Sequence, residues 1–167
     1  RYYKLLESAV LTNSQFKKLK KFFKKKIKVI DCTFDIEKSL KEKIESIREE
    51  AETAVRQGST CLVLSDKNIS NKKASIPSIL TVGAVHSHLV KHGLRGYCSL
   101  NVECSDAIDT HSFAILIGVG ATTVNPYLAI DSIYQRFEKK LFGKLDFETC
   151  VKKFKKSIDA GLLKIMS

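Results

Sequence analysis

Polar side chains that could bind a ligand or a partner follow the apolar, strand-like runs of this sequence. Thr33 lies near the end of the first run, Ser65 and Asp66 close the second, Glu103 lies near the end of the third, and Asn125 follows the fourth. In parallel α/β sheets, ligand sites gather beyond the carboxyl ends of the strands. We therefore expect these hydroxyl, carboxylate and amide groups to gather at one edge of a sheet. The alternative that Glu103 and Asn125 only cap local helices and loops stays open.

The sequence shows neither a dinucleotide-binding fingerprint nor a catalytic or chelating arrangement of histidines. The GVGA segment at residues 118–121 precedes a strand instead of following one, so its glycines indicate a helix stop and a tight turn, not a dinucleotide site. His86 and His88 are two residues apart on a predicted helix and point to different faces, so that spacing does not chelate one ion. His92 lies in the last turn of this helix, where a histidine suits the helix dipole. His111 could reach a strand end, although a lone histidine beside an apolar run is more often hydrogen-bonded structure than a catalyst.

The cysteines lack the spacing of a metal or cluster site. They are Cys32, Cys61, Cys98, Cys104 and Cys150. No CxxC pair occurs, and most of the five lie inside apolar, strand-like runs. We interpret them as buried free thiols of a protein in a reducing compartment. The sequence therefore predicts no catalytic residue, no bound cofactor and no metal within this chain.

The elements that would position the polar residues alternate between strand and helix. From His111 to Ile130 the sequence indicates a helix, a glycine stop, a buried strand, and a turn at Asn125-Pro126 that opens the next helix. Earlier strands are predicted near residues 28, 61 and 97, at spacings typical of βα units. We therefore predict an α/β fold with a parallel sheet of about four strands and flanking helices. It would resemble half of a (β/α)8 barrel, with extra helices at both termini.

The boundaries of these elements follow from the apolar runs and from glycine and proline. The first strand is predicted over residues 27–34 and the third over residues 96–104, while residues 66–75 form a polar loop. The helix after the fourth strand is predicted to run toward residues 142–143. A last helix is predicted to end at Gly161, because glycine is a common helix stop.

Length and composition limit the class of protein. The 167 residues suit a single domain, and 44% hydrophobic with 28% charged residues is ordinary for a globular protein. No run approaches the roughly 18 apolar residues that a membrane span needs. Because the chain begins at Arg1, where a natural chain would begin with methionine, we expect it to be a piece of something longer.

The net charge of +11 is concentrated at the two ends of the chain. Residues 1–30 hold ten Lys and Arg against one Glu, and residues 136–167 hold nine against four acidic residues. Residues 31–135 hold ten Lys and Arg against thirteen Asp and Glu, so the predicted core is slightly acidic. We interpret the terminal lysines as solvated helix faces. The alternative is a free-standing basic α/β module that binds RNA or another polyanion through its terminal helices.

Several motifs together resemble one enzyme family. The run IPSILTVGAVHSHLVKHGLR at residues 76–95, followed by NVECSDAIDTHSFAILIGVGATTVNPYLAI, resembles the central region of the large chain of glutamate synthase. LESAVLTNSQF, VIDCTFDI and VLSDKNIS occupy the expected places before it. The closing KSIDAGLLKIMS looks like the segment by which that region leads into the flavin-binding barrel. The resemblance thus covers residues 1–167 as one domain, the later part of the central region.

The resemblance implies a role within a large cytoplasmic or plastid oxidoreductase. Such an enzyme makes glutamate from glutamine and 2-oxoglutarate, using an amidotransferase domain that releases ammonia and a barrel domain that holds FMN and a 3Fe-4S cluster. Its electrons come from NAD(P)H through a reductase domain, or from ferredoxin. The central region would join the two domains alongside the ammonia tunnel, without nucleic acid or membrane as a partner. None of the family's catalytic, flavin or cluster residues falls in this chain, so the fragment alone would be inactive.

Within that role we predict a set of contacts to the neighbouring domains or the tunnel wall. The set comprises the polar strand-end residues, the loop over residues 66–76 that follows the second strand, and the histidine that precedes the fourth. The individual residues of the set are Thr33, Ser65, Asp66, Glu103, His111 and Asn125.

Overall fold

A computed structural model describes residues 9–140 and 143–166 of the chain. Its helices are α1 (Asn13–Phe23), α2 (Leu40–Arg56), α3 (Ser78–Lys91), α4 (Thr110–Gly118), α5 (Tyr127–Glu138) and α6 (Phe147–Met166). Its strands are β1 (Ile27–Asp31), β2 (Thr33–Asp35), β3 (Cys61–Ser65), β4 (Lys73–Ser75), β5 (Ser99–Glu103) and β6 (Thr123–Asn125). None of the helices described is long and apolar enough to cross a membrane.

Four of the strands form one parallel sheet. Its order is β1-β3-β5-β6, and each pair of neighbours is parallel. The strands therefore stand side by side in the order in which the chain visits them, with α2, α3 and α4 as the connections. This arrangement confirms the predicted α/β fold with a four-stranded parallel sheet. Half of a (β/α)8 barrel likewise has its strands side by side in the order of the sequence.

The two faces of the sheet differ in chemistry. One face is apolar and belongs to the main core together with side chains of α2, α3, α4 and α6; it carries Ile30, Leu62, Leu64, Leu100, Val102 and Val124. On the opposite face, Cys61 and Val63 pack with Leu11 and with Phe16 of α1. Full burial of a side chain such as Phe16 contributes roughly 1.5 to 3 kcal/mol. Helix α1 therefore covers the face that the connecting helices leave open.

Residues 9–11 add a further parallel pairing at the β6 edge. Val10 forms an isolated parallel bridge with Val124. The Leu11 amide donates to the Val124 carbonyl at 2.8 Å, and the Val124 amide donates to the Ala9 carbonyl at 2.8 Å. The sequence predicts only an irregular start here; residues 1–8 of that start lie outside the described part of the chain. Strand β6 thus pairs with β5 on one side and, on its other side, with the residues that precede α1.

The predicted first strand is wrong in its second half. Residues 27–34 divide at Cys32 into β1, which joins the main sheet, and β2, which pairs antiparallel with β4. The Cys32 amide donates to the Ser65 carbonyl, and the Cys32 carbonyl accepts from Ile76, so the backbone changes partners at this residue. The predicted polar loop at residues 66–75 accordingly contains strand β4.

Three other predicted boundaries change. The third strand is shorter than residues 96–104, because residues 95–97 form a turn of 3-10 helix. Helix α5 ends at Glu138, and residues 141–142 lie outside the described part of the chain. Helix α6 continues through Gly161 to Met166. A Cβ at Gly161 would lie 2.6 Å from Thr110 Cγ2, so this glycine permits close packing of α6 on α4 instead of ending the helix.

Helix α3 obtains its amino-terminal cap from a distant part of the chain. Its N-cap residue is Pro77, whose side chain offers no hydrogen bond. Asp106, in the loop after β5, accepts from the Ser78 amide at 2.9 Å and from Ser78 Oγ at 2.7 Å. A carboxylate at this place satisfies an otherwise orphaned amide and suits the helix dipole. The loop after β5 is thereby held against α3.

Candidate functional site

The face of the sheet that α1 covers carries a row of buried polar side chains, which we name the polar face. It consists of Ser65, Asn101, Glu103, Thr123 and Asn125, each less than one-tenth exposed. They alternate along β3, β5 and β6 with the apolar residues of the core, so they share one side of the sheet. No buried side-chain nitrogen or oxygen in the described part of the chain lacks a hydrogen-bond partner.

Glu103 is the charged centre of the polar face. Its side chain is 4% exposed, and Oε1 accepts from Ser65 Oγ at 2.7 Å. Oε2 lies 3.2 Å from Lys20 Nζ of α1 and 3.4 Å from Lys67 Nζ of the loop after β3. A carboxylate buried to this degree needs such partners, because an unpaired one would pay a large desolvation cost. These partners come from β3, α1 and the loop after β3, so Glu103 does not cap a helix beside it in sequence.

Asn101 and Thr123 form the buried middle of the polar face. Thr123 Oγ1 donates to Asn101 Oδ1 at 2.7 Å, and Asn101 Nδ2 donates to the Leu62 carbonyl at 3.1 Å and to Ser99 Oγ at 2.9 Å. The sequence reasoning missed both residues because it considered only the strand ends. The period-two row Ser99, Asn101 and Glu103 was the signal that could have found them.

Asn125 connects the sheet to the beginning of α1. Its Nδ2 donates to the Leu11 carbonyl at 3.0 Å and to Asn13 Oδ1 at 2.9 Å. Both partners are more than a hundred residues away in the chain, so Asn125 also does not cap a neighbouring turn. The polar face thus runs from Asn125 through Glu103 to Ser65.

Asp66 collects hydrogen bonds from three separate segments beside the polar face. Its Oδ1 accepts from the Tyr127 hydroxyl at 2.7 Å. Its Oδ2 accepts from Ser75 Oγ at 2.9 Å, and from the amide and the hydroxyl of Ser105 at 2.9 and 2.6 Å. Burial first, and then the hydrogen bond to Asp66, raise the pKa of Tyr127, so its hydroxyl remains a donor. Asp66 therefore holds the carboxyl edge of the sheet together.

The two remaining predicted residues lie apart from this network. Thr33 is buried in β2, and its amide and hydroxyl both donate to Asp31 Oδ1, at 2.9 and 2.7 Å. His111 is exposed in the first turn of α4, after the N-cap residue Asp109. It is not among the hydrogen-bond partners of the polar face. The structure therefore brings Ser65 and Glu103 into direct contact and sets Asn125 beside Glu103 in sheet register. The Asp66 amide donates to the Glu103 carbonyl.

A second cluster lies on the surface between α2 and α3. Glu52 Oε2 is 2.7 Å from His88 Nε2 and 3.8 Å from His92 Nε2. Hydrogen bonds from Arg56 and then from His88 lower the pKa of the Glu52 carboxyl group. The partner of His88 is thus His92, one helical turn away, and not His86. The spacing of four residues was the available signal, since residues i and i+4 share a helix face.

His86 has a structural place instead. Its Nδ1 accepts from Arg95 Nε at 3.0 Å. The same guanidinium donates to the carbonyls of Cys98 and Gly120, at 2.7 and 2.8 Å. Arg95 therefore ties α3 to the amino ends of β5 and β6, opposite the predicted functional edge.

All five cysteines are free and buried, as predicted. Burial raises the pKa of the Cys61 thiol to about 11 and that of the Cys32 thiol to about 12. A thiol must lose its proton to act as a nucleophile or a metal ligand. These two groups are therefore unreactive core side chains at neutral pH.

Comparison with known proteins identifies relatives over almost the whole chain. Residues 3–167 match the family described as "Glutamate synthase central domain". The chain is 46% identical to the glutamate synthase [NADPH] large chain of Azospirillum brasilense and 40% identical to that of Bacillus subtilis (strain 168), each over 97% of this chain and 11% of the relative. It is 38% identical to the chloroplastic ferredoxin-dependent glutamate synthase of Oryza sativa subsp. japonica, again over 97% of this chain and 11% of the relative.

A solved structure is similar at a much lower level. It is the crystal structure of a putative fructose-1,6-biphosphate aldolase from Coccidioides immitis, with a TM-score of 0.39 and 16% sequence identity. The similarity covers 84% of this chain and 56% of that one.

Proposed function

Because the chain belongs to the glutamate synthase central domain family, we propose that it is the connecting part of a glutamate synthase large chain. The chain spans 11% of the length of the curated relatives named above, so the rest of such an enzyme lies outside it. The parent would make L-glutamate from L-glutamine and 2-oxoglutarate. Residues 1–167 would form the later part of its central region and lead into the FMN-binding barrel.

The observation that carries this proposal is the polar face. Ammonia is small and neutral and can both donate and accept hydrogen bonds, so a path for it needs polar groups shielded from bulk water. Ser65, Asn101 and Glu103 offer such groups, and α1 shields them from solvent. A polar layer of this kind would suit a position beside the path of ammonia between an amidotransferase domain and a flavin domain.

The proposed partners are therefore the two neighbouring domains of the same chain. Contacts to them or to the tunnel wall are assigned to the six predicted residues, Thr33, Ser65, Asp66, Glu103, His111 and Asn125. FMN and a 3Fe-4S cluster would belong to the parent and lie outside this segment, which would be inactive alone. Electrons would come from NADH, NADPH or ferredoxin, since relatives named for each of these donors match this segment.

Substitution of Glu103 by alanine tests the proposed role in ammonia transfer. In a full-length large chain carrying this segment, we expect glutamine-dependent glutamate formation to fall several-fold while glutamine hydrolysis continues. The reason is that the carboxylate pairs with Lys20 and Lys67, and its removal leaves two cations on the polar face. The measurement is the ratio of glutamate formed to glutamine hydrolysed, together with ammonia released into solution.

The controls separate coupling from loss of structure. Glu103→Gln keeps the shape of the side chain and an acceptor for Ser65, and we expect a smaller effect from it. Glu50→Ala removes a carboxylate that pairs with Lys28 on the surface and should leave the ratio unchanged. An unchanged ratio in a stable Glu103→Ala enzyme would contradict the proposal and leave Glu103 as scaffold.

The polyanion-binding alternative has one observation in its favour. A cleft of about 930 Å³ between α1, α5 and α6 is lined by Lys18, Lys152, Lys155 and Lys156, among others. We expect only weak binding of nonspecific RNA by the chain, because Lys155 already donates to Gln15 and Lys152 pairs with Glu148. Titration over a salt series measures this, since neutralised phosphates give a steep dependence of affinity on salt. Tight binding with a steep slope would favour the alternative.

A further inference from the structure

We propose that Glu52, His88 and His92 form a binding site for a divalent transition-metal ion, with zinc as its first candidate, at the surface between α2 and α3. Glu52 comes from α2, His88 lies in the last turn of α3, and His92 is the C-cap residue that follows this helix. One carboxylate oxygen and two imidazole nitrogens all lie within 4.8 Å of one another. Among the described residues, no other group of three or more His, Cys, Asp or Glu side chains converges in this way.

The distances suit a tetrahedral ion. With bonds of about 2.0 to 2.1 Å, two ligands of such an ion stand roughly 3.4 Å apart. Glu52 Oε2 lies 2.7 Å from His88 Nε2 and 3.8 Å from His92 Nε2, so the observed separations fall on either side of that value. The ring centroids of the two histidines are 4.4 Å apart. Small side-chain rotations would therefore bring all three donors onto one ion.

The surroundings of Glu52 orient the carboxylate toward the histidines. Arg56 Nε donates to Oε1 at 2.8 Å, which leaves Oε2 as the oxygen that faces His88 and His92. Hydrogen-bonded partners behind a ligand commonly fix its orientation and sustain metal affinity. The ion would take the place of the proton that His88 shares with this carboxylate.

Two imidazoles and one carboxylate are a ligand set that zinc uses with a fourth position left open. The three side chains are 19 to 35% exposed, so an ion can enter from solvent and a water can fill that position. The ion would link α2 to α3 and stabilise the folded chain, because it binds the folded state in preference to the unfolded one. An ion bound here would contradict the expectation from sequence that the chain binds no metal.

The test is zinc titration of the untagged 167-residue chain by calorimetry. We expect one zinc per chain and a rise in the thermal unfolding midpoint with zinc concentration. Glu52→Gln and His92→Ala should each weaken zinc binding by at least about tenfold, because loss of even an outer partner of a metal ligand costs 10- to 100-fold. His111→Ala removes an exposed histidine from another helix and serves as the matched control.

Cobalt(II) provides a second readout of the same site. A tetrahedral cobalt spectrum that is present in the parent chain and in His111→Ala, and absent in His92→Ala, would support the site. His92 is near the surface at the end of α3, so its replacement should leave the fold intact, as circular dichroism can verify. Zinc binding that His92→Ala and Glu52→Gln leave unchanged would overturn the proposal, as would no uptake of zinc by the parent chain.

Discussion

Replacement of Gly120 by alanine should destabilise the chain by about 4 kcal/mol, the sum of backbone strain and overpacking. Gly120 has a φ of +125°, which side-chain-bearing residues rarely adopt. A Cβ there would lie 2.4 Å from Cγ and Nδ1 of His86. His86 cannot yield freely, because it accepts from Arg95, which also binds the Gly120 carbonyl. Urea unfolding of the variant and the parent chain gives the difference directly.

Gly83 offers a matched control for this substitution. It lies within α3, where a Cβ would meet no atom within 4 Å. Gly83→Ala should therefore be neutral or stabilise the chain by up to about 1 kcal/mol, since alanine is the better helix former. Equal unfolding free energies for the Gly120 and Gly83 variants would show that the His86 contact is not tight.

Asp66→Asn should cost about 3 kcal/mol, because it presents an amide hydrogen to groups that are themselves donors. The carboxylate accepts from Tyr127 on one oxygen and from Ser75 and Ser105 on the other. Whichever oxygen becomes the NH2 group, at least one buried donor loses its acceptor. The free energy of unfolding at neutral pH measures the loss. Asp131→Asn, on the exposed face of α5, should change stability by less than about 0.5 kcal/mol.

A double-mutant cycle separates this hydrogen-bond loss from a general loss of packing. Tyr127→Phe removes the hydroxyl that donates to Asp66 Oδ1. In the Asp66→Asn background this change should cost less than in the parent chain, because the orphaned donor is no longer present. Strictly additive effects would mean that the asparagine carbonyl still accepts from Tyr127, so that the donors left without an acceptor are those of Ser75 and Ser105.

Sequence reasoning located the four strands of the parallel sheet because each contains apolar residues between polar or glycine-containing turns. Residues 60–65 are the clearest case, and β3 occupies Cys61–Ser65. Sequence reasoning failed where contacts with residues distant in the sequence determine the local structure. The run that predicts one strand is divided at Cys32, where the backbone changes its hydrogen-bond partners. Gly161 predicts a helix end but lies within α6, where the absence of a side chain allows close contact with Thr110. Neither partner can be identified from the local sequence.

The candidate site was predictable to a similar extent. Fold class predicts Ser65 and Glu103 at one edge of the sheet, whereas their direct contact depends on the strand order, which the structure supplies. The lysines that balance Glu103 come from α1 and a loop, and nothing in the sequence joins those segments. Glu52 and the His88–His92 pair are likewise brought together only when α2 packs on α3. The sequence pattern thus predicts which residues lie at the edge of the sheet. It does not predict which side chains from other helices and loops contact them.

The pairing of residues 9–11 with β6 sets an order of events during synthesis. Leu11 leaves the ribosome before its partner Asn125, which follows 114 residues later. At about 5 to 20 residues per second, that delay is on the order of ten seconds. During this interval residues 9–11 lack their sheet partner, and the polar side chains later covered by α1 can still be hydrated. The packing of α1 over the polar face is therefore a late step, completed only after β6, the fourth strand of the parallel sheet, has been synthesised.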